Sequence, residues 1–184
     1  ADFIYTGTLN NSNETLHLFN ASCALMDEII ANPDWPAGDN KNKKTMERKT
    51  DFGWQTSANI GGTPKRENSS GYIFDQTGGA ATAPLIQQSA TSTPQTLCSQ
   101  NNLSPPSYSP VILNEVAWMG SASSSADEWI ELKNISASSV SLNNWQIIGR
   151  NTQNSENNIE VFLPSQNISA NSFFLLERTN EDSA

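Results

Sequence analysis

The fold class of this chain follows from one stretch, Val111-Ile112-Leu113-Asn114-Glu115-Val116-Ala117-Trp118. The stretch is rich in β-branched and apolar residues and has no sustained 3.6-residue apolar period, so we predict a strand. Turn-forming residues follow it from Gly120 to Ala126. Strand-like runs then alternate with turns as far as Arg178, which indicates β structure throughout this part of the chain.

Similar runs occur on both sides of the middle of the chain. The predicted strands cover residues 14–19, 25–30, 128–133, 139–142, 145–148, 159–163 and 173–178. Short strands with frequent turns are typical of an antiparallel sandwich. We therefore predict an all-β protein in which two antiparallel sheets enclose one core.

The composition limits the classes of partner. The 184 residues carry 10 Lys and Arg against 19 Asp and Glu, which gives a net charge of −9. Phosphate binding needs a surplus of positive charge, so we expect no nucleic-acid partner. No run of about 18 apolar residues occurs, so we expect no membrane span. The 22 Asn, 24 Ser and 14 Thr residues supply most of the polarity, and this composition suggests a secreted or cell-surface protein.

Charge and composition divide the chain into three segments. Residues 71–109 contain a single charged residue, Asp75, among many Ser, Thr and Pro residues, as expected for a linker. Residues 1–70 and 110–184 flank this linker and contain the strand-like runs. Two apolar islands in the linker, at 72–74 and 84–86, indicate that part of it lies against a folded surface.

Several motifs stand at consistent spacing in the two flanking segments. In residues 110–184 they are Asn114-Glu115-Val116-Ala117-Trp118-Met119-Gly120, Asp127-Glu128-Trp129-Ile130-Glu131-Leu132, Trp145 and Phe173-Phe174-Leu175-Leu176-Glu177-Arg178. In residues 1–68 they are Asp2-Phe3-Ile4-Tyr5-Thr6-Gly7, Glu14-Thr15-Leu16, Trp35-Pro36-Ala37-Gly38-Asp39-Asn40, Thr45-Met46-Glu47-Arg48, Trp54 and Gly62-Thr63-Pro64. The first set resembles the first half of a bacterial lamin tail domain, and the second set resembles its second half. The resemblance implies an immunoglobulin-like β-sandwich whose halves stand in reverse order.

The reversed order leaves three arrangements open, because each half alone would have open strand edges and an incomplete apolar face. The halves could close on each other within one chain, pair head to tail between chains, or belong to a tandem array. We expect a structural subunit that assembles head to tail into an extracellular fibre or surface array by completing a neighbour's sandwich. The alternative is a monomeric surface module for adhesion or for carbohydrate or protein binding.

The expected roles of single residues follow from this interpretation. We expect the core and assembly contacts to come from apolar residues of both segments, namely Ile4, Leu16, Leu18, Trp54, Trp118, Trp129, Trp145, Phe173 and Leu175. Glu115 and Glu131 lie inside strand motifs, and we expect Arg48 or Arg178 to neutralise them as ion pairs. Because this structural role accounts for the carboxylates, we predict no enzymatic activity, no cofactor and no metal.

Two further pairs are candidates for specific roles. Cys23 and Cys98 are the only cysteines, so they either form one disulfide or are both free thiols. Trp35 and Trp118 belong to turn-rich motifs and are the two tryptophans that we consider for contact with a ligand.

Overall fold

The structure is a computed structural model that describes residues 1–69, 96–151, 153 and 158–178. The described residues form no helix and twelve β-strands. The strands are β1 (Phe3–Tyr5), β2 (Glu14–Phe19), β3 (Leu25–Ile30), β4 (Met46–Arg48), β5 (Trp54–Thr56), β6 (Val111–Ala117), β7 (Trp129–Asn134), β8 (Val140–Ser141), β9 (Gln146–Asn151), β10 (Ile159–Phe162), β11 (Asn167–Ile168) and β12 (Phe173–Arg178). The predicted all-β class is confirmed, whereas residues 71–95 of the predicted linker, with both apolar islands, lie outside the described part.

The larger sheet has six strands in the order β1-β12-β7-β6-β4-β5. All its pairings are antiparallel except that of β1 with β12, which is parallel. Strands β1, β4 and β5 come from residues 1–70, and the other three come from residues 110–184. The sheet therefore contains strands from both flanking segments.

The second sheet has four strands in the order β10-β9-β2-β3. β2 and β3 come from the first flanking segment, and β2 pairs along six register positions with β9 from the last segment. A further two-stranded pair joins β8 to β11. Both main sheets are thus built from the two ends of the sequence.

One apolar core lies between the two sheets, an arrangement consistent with a β-sandwich. Leu16 and Leu18 on β2 belong to the same buried cluster as Ile130 and Leu132 on β7. Successive side chains of a strand point to opposite faces, so Trp129 and Glu131 face away from this core. The outer face of the six-stranded sheet has its own small apolar cluster of Ala117, Met119, Trp129 and Leu175.

Residues 96–110 connect to β6 along the edge of the four-stranded sheet. The N–H groups of Ser107 and Tyr108 donate to the carbonyls of Leu25 and Met26 on β3, at 3.2 and 2.8 Å. β6 then continues into the six-stranded sheet. This passage links the two sheets along one side of the molecule. Within the described part of the chain, no helix is long and apolar enough to cross a bilayer.

Candidate functional site

Three glutamates lie side by side on the outer face of the six-stranded sheet. Glu47 on β4 stands opposite Glu115 on β6, and Glu115 stands opposite Glu131 on β7. Side chains at such opposed positions have Cβ atoms about 4.5–5.5 Å apart. All three are fully buried. We call these residues the glutamate row. In their charged forms they would repel one another and would lack the hydration that water provides.

Residues 62–69 follow β5 and cover the row, and we call them the covering segment. The N–H of Thr63 donates to Glu115 Oε1 at 2.9 Å, and the N–H of Lys65 donates to Glu131 Oε2 at 2.5 Å. The N–H of Ser69 donates to Glu47 Oε2 at 3.0 Å. Each glutamate of the row therefore accepts a main-chain N–H from the same covering segment.

Gly62 allows the covering segment to approach the sheet this closely. Its φ is +79°, and a Cβ atom at this position would lie 2.1 Å from Glu115 Oε1 and 2.4 Å from Thr45 Oγ1. Gly61 also has a positive φ, +74°, but a Cβ there would meet no atom within 4 Å. The two neighbouring glycines thus share a left-handed backbone, and only Gly62 is in tight contact with the row.

Neutral side chains supply further hydrogen bonds to the row. Thr45 Oγ1 donates to Glu115, and Asn114 Nδ2 donates to Glu131 Oε1 at 2.8 Å. Burial raises the pKa of Glu115 to about 7 and the pKa of Glu131 to about 8, and these hydrogen bonds only partly oppose the increase. Both carboxyls can therefore carry a proton near neutral pH.

The structure differs from the ion pairs that we predicted for Glu115 and Glu131. Strand register places other carboxylates and neutral donors around these glutamates, whereas Arg48 and Arg178 bind elsewhere. Arg178 Nη1 lies 3.2 Å from Glu128 Oε1. The sequence shows which segment contains each acid and each base, but it does not determine which of them are in contact.

Arg48 reaches between the two sheets. Its Nη2 atom lies 2.5 Å from Asp27 Oδ2 on β3, and its Nε donates to the carbonyl of Leu113 at 3.1 Å. The guanidinium carbon lies 3.7 Å from the centre of the Trp54 ring. Burial raises the pKa of Asp27 to about 6, and the positive charge of Arg48 opposes this increase.

A groove of about 460 Å³ lies beside the glutamate row. The β4–β5 turn contributes Phe52, the covering segment contributes Asn68, and β7 with the residue after it contributes Lys133 and Ile135. The volume is within the range of small-molecule sites. Phe52 is 39% exposed and has a φ of +62°, so an aromatic ring stands at the rim on a left-handed backbone.

The two tryptophans considered for ligand contact stack on each other. The ring centres of Trp35 and Trp118 lie 6.1 Å apart, with an angle of 8° between the ring planes. Trp35 is 6% exposed, and its Nε1 donates to the carbonyl of Asn10; Trp118 Nε1 donates to the carbonyl of Ala37. The stack joins the two flanking segments and leaves Trp35 almost no surface for a ligand, whereas Trp118 is half-buried.

The other predicted core residues differ in their burial. Those that are buried are Leu16, Leu18, Trp129, Trp145 and Leu175. Those that are half-buried are Trp54, Trp118 and Phe173. Ile4 departs from the prediction, because it is 38% exposed. It lies on β1 at the edge of the sheet, and its neighbours Phe3 and Tyr5 are the residues that pack against the core.

Cys23 and Cys98 form a disulfide. Cys98 is buried in a small cluster with Phe19, Leu25 and Ile148. Its N–H also donates to the side chain of Gln146 on β9 at 2.9 Å. The disulfide thus attaches residues 96–103 to the turn between β2 and β3.

Sequence reasoning missed three residues of this region: Asp27, Glu47 and Thr63. An available signal was the position of Asp27 inside the predicted strand 25–30, whereas Glu47 lies in a three-residue strand that no local pattern identifies. Among the described residues, no group of three or more His, Cys, Asp or Glu side chains is arranged to hold a metal ion.

The chain matches no protein-family model, no curated protein and no solved structure.

Proposed function

We propose that this protein is a non-enzymatic structural module of the cell surface or extracellular space, with a lamin-tail-type sandwich that its two flanking segments complete within one chain. The observation that carries the proposal is the interleaving of strands from the two segments. β1 pairs with β12, β2 with β9, and β4 with β6.

Removal of either segment would disrupt both sheets. Without residues 1–69, strands β12, β9 and β6 would each lose a neighbour, and one side of the shared core would face water. An exposed apolar face and unpaired strand edges are unfavourable in water. The two segments are therefore expected to fold only together, as one sandwich.

The disulfide and the surface composition support the extracellular setting. Disulfides persist in oxidising environments and are rare in the cytosol. Most of the polarity comes from Asn, Ser and Thr, since only 16% of the residues are charged. A surface module of this kind would bind other proteins or glycans, and the groove with Phe52 at its rim is the recess available for such contacts.

The second candidate is the head-to-tail fibre, in which segments are exchanged between chains. The three strand pairings between the segments are compatible with this fibre, because each could also form with the corresponding segment of a neighbouring chain. The subunit interface would then use the same strand neighbours and the same core, so exchange would create no new surface.

Light scattering coupled to size-exclusion chromatography tests the two candidates. A single monomeric species at micromolar concentration supports the self-completed module and excludes the fibre, whereas species that grow with concentration support the fibre. Expression of residues 96–184 alone tests the joint folding. We expect an unfolded or aggregated fragment that gains structure when residues 1–69 are added. A soluble fragment that melts cooperatively by itself would contradict both candidates.

A further inference from the structure

The glutamate row contains a hydrogen-bond pattern that a bound proton would complete. Thr63 Oγ1 lies 3.0 Å from Glu47 Oε1 and 2.9 Å from Glu115 Oε2. A hydroxyl group has one proton to donate, whereas an ionised carboxylate can only accept. If Glu115 carries a proton, its carboxyl can donate to the hydroxyl oxygen while the hydroxyl donates to Glu47, so that both contacts are two-centre hydrogen bonds.

Two lysines beside the row are engaged with other carboxylates. Lys65 Nζ lies 2.9 Å from Asp2 Oδ1, and Lys133 Nζ lies 2.5 Å from Glu67 Oε2. The charged residues on the elements packed against the row are Arg48 on β4, Lys133 on β7, Glu177 and Arg178 on β12, and Lys65, Arg66 and Glu67 in the covering segment. The charge of Lys133 lowers the pKa of Glu131, and the charge of the neighbouring Glu115 opposes this effect.

We propose that the row is a proton-held latch: the covering segment stays closed over the sheet while Glu115 or Glu131 holds a proton, and it opens when both of these carboxyls are ionised. With three adjacent negative charges, the row would repel itself in a site without water. Detachment of residues 62–69 would let water reach the carboxylates. It would also remove Asn68 and Ser69 from the wall of the groove.

The pH range follows from the pKa values of the row. Burial raises the pKa of Glu115 to about 7 and that of Glu131 to about 8, both above their ordinary value. The contribution of each carboxyl to the stability of the closed segment is complete at pH values below its unfolded pKa. It is lost as pH rises through its pKa in the folded protein. The latch is therefore closed in mildly acidic solution and opens at alkaline pH.

Trypsin reports on the latch directly, because Lys65 and Arg66 are exposed cleavage sites inside the covering segment. We measure the rate at which trypsin cleaves the intact protein after these two residues. We divide it by the cleavage rate of a free peptide of residues 60–69 at the same pH, which gives a normalised rate. The normalised rate should rise about tenfold or more between pH 6.5 and 9, since one pKa unit corresponds to a factor of ten. Lys133, which lies within β7, should stay uncut, which distinguishes local opening from global unfolding.

Two neutral variants test whether the row is responsible. Glu115→Gln and Glu131→Gln resemble the protonated carboxyl and should keep the normalised rate low at pH 9. Glu160→Gln, at an exposed carboxylate paired with Arg150, serves as the matched control and should retain the wild-type increase. A wild-type rate that does not change with pH would overturn the proposal, as would Gln variants that open like the wild type.

The two glycines give an independent test at constant pH. Gly62→Ala places a methyl group against Glu115 and should open the segment even at pH 6.5, whereas Gly61→Ala imposes a similar left-handed strain without the contact. Equal cleavage of these two variants would contradict the latch. If a variant fails to fold, NMR titration of the Glu side-chain carboxyl carbons in the wild type decides. Midpoints near 7 to 8 for Glu115 and Glu131 support the proposal, and midpoints below 5, about the ordinary value of a glutamate, refute it.

Discussion

Asp27 and Arg48 join the two sheets through one buried contact, in which Arg48 Nη2 lies 2.5 Å from Asp27 Oδ2. The same carboxylate oxygen accepts the N–H of Leu113 at 2.8 Å, at the point where β6 enters the six-stranded sheet. The pair is inaccessible to solvent, with side-chain exposures of 3% for Arg48 and 0% for Asp27. It therefore fixes the position of β3 relative to β4 and β6.

Replacement of Arg48 by Ala should destabilise the protein strongly. Loss of one partner leaves the carboxylate of Asp27 buried without its counter-charge, and such changes cost about 3–5 kcal/mol. Chemical denaturation at pH 7 measures the change in unfolding free energy. Lys49→Ala removes the neighbouring pair with Asp51, whose side chains are 43% and 63% exposed, and should cost at most about 1 kcal/mol. Similar losses for both variants would show that the buried pair has no special role.

Trp129→Ala should destabilise the outer face of the six-stranded sheet. Trp129 is 1% exposed and packs with Met119 and Leu175 outside the central core. Truncation of a buried aromatic side chain to Ala costs about 3–5 kcal/mol. Thermal unfolding followed by tryptophan fluorescence or circular dichroism would measure this loss of stability. Ile60→Ala, at a residue 72% exposed, is the control and should change stability by no more than about 0.5 kcal/mol.

The stability of the whole protein should decrease as pH rises from about 5 to about 8. Burial raises the pKa of Asp27 to about 6 and that of Glu128 to about 7, in addition to the two glutamates of the row. A carboxyl with a raised folded pKa contributes stability that is complete below the unfolded pKa and is lost as pH rises through the folded value. Each unit by which the folded pKa of a carboxyl exceeds its unfolded pKa corresponds to about 1.4 kcal/mol of unfolding free energy once the carboxyl is fully ionised.

Urea unfolding at several pH values would measure this dependence. Glu128→Gln should flatten the curve around pH 7, whereas Glu160→Gln should leave its shape unchanged. A stability that instead increases from pH 5 to pH 8 would contradict the assigned protonation of these carboxyls.

Reduction of the Cys23–Cys98 disulfide should lower stability by about 2–4 kcal/mol. The bond closes a loop with a sequence separation of 75 residues and so restricts the unfolded chain. Calorimetry with and without dithiothreitol would show the effect as a lower melting temperature. In the double variant Cys23→Ser, Cys98→Ser, the reductant should have no further effect. If dithiothreitol lowered the melting temperature of this variant equally, the disulfide would not be the cause.

Local sequence pattern was sufficient for the long strands and missed several of the short ones. β3 covers the residues 25–30 that the pattern predicted, and β2 covers 14–19. β4 and β5 have only three residues each, too few for a periodic pattern, so their strand character depends on pairing with distant residues. Ile4 was assigned to the core because of its apolar side chain, but β1 lies at the edge of the sheet and directs Phe3 and Tyr5, not Ile4, toward the core.

The partners of the charged residues could not be predicted for a similar reason. Asp27 and Arg48 belong to different sheets, and only the packing of those sheets brings them together. Glu115 was expected to meet an arginine, whereas strand register places Glu47 and Glu131 at its sides. Register depends on the long-range pairing of residues 1–70 with residues 110–184, which no local window of the sequence contains.

The parallel pairing of β1 with β12 determines how the protein would respond to tension. Phe3 stands beside Leu176 and Tyr5 beside Arg178, so the first and last of the described strands run side by side in the same direction. A force that pulls Ala1 and Arg178 apart would slide these strands along each other and strain their hydrogen bonds together rather than one after another. We therefore expect a mechanically resistant unit, and single-molecule force spectroscopy would measure its rupture force.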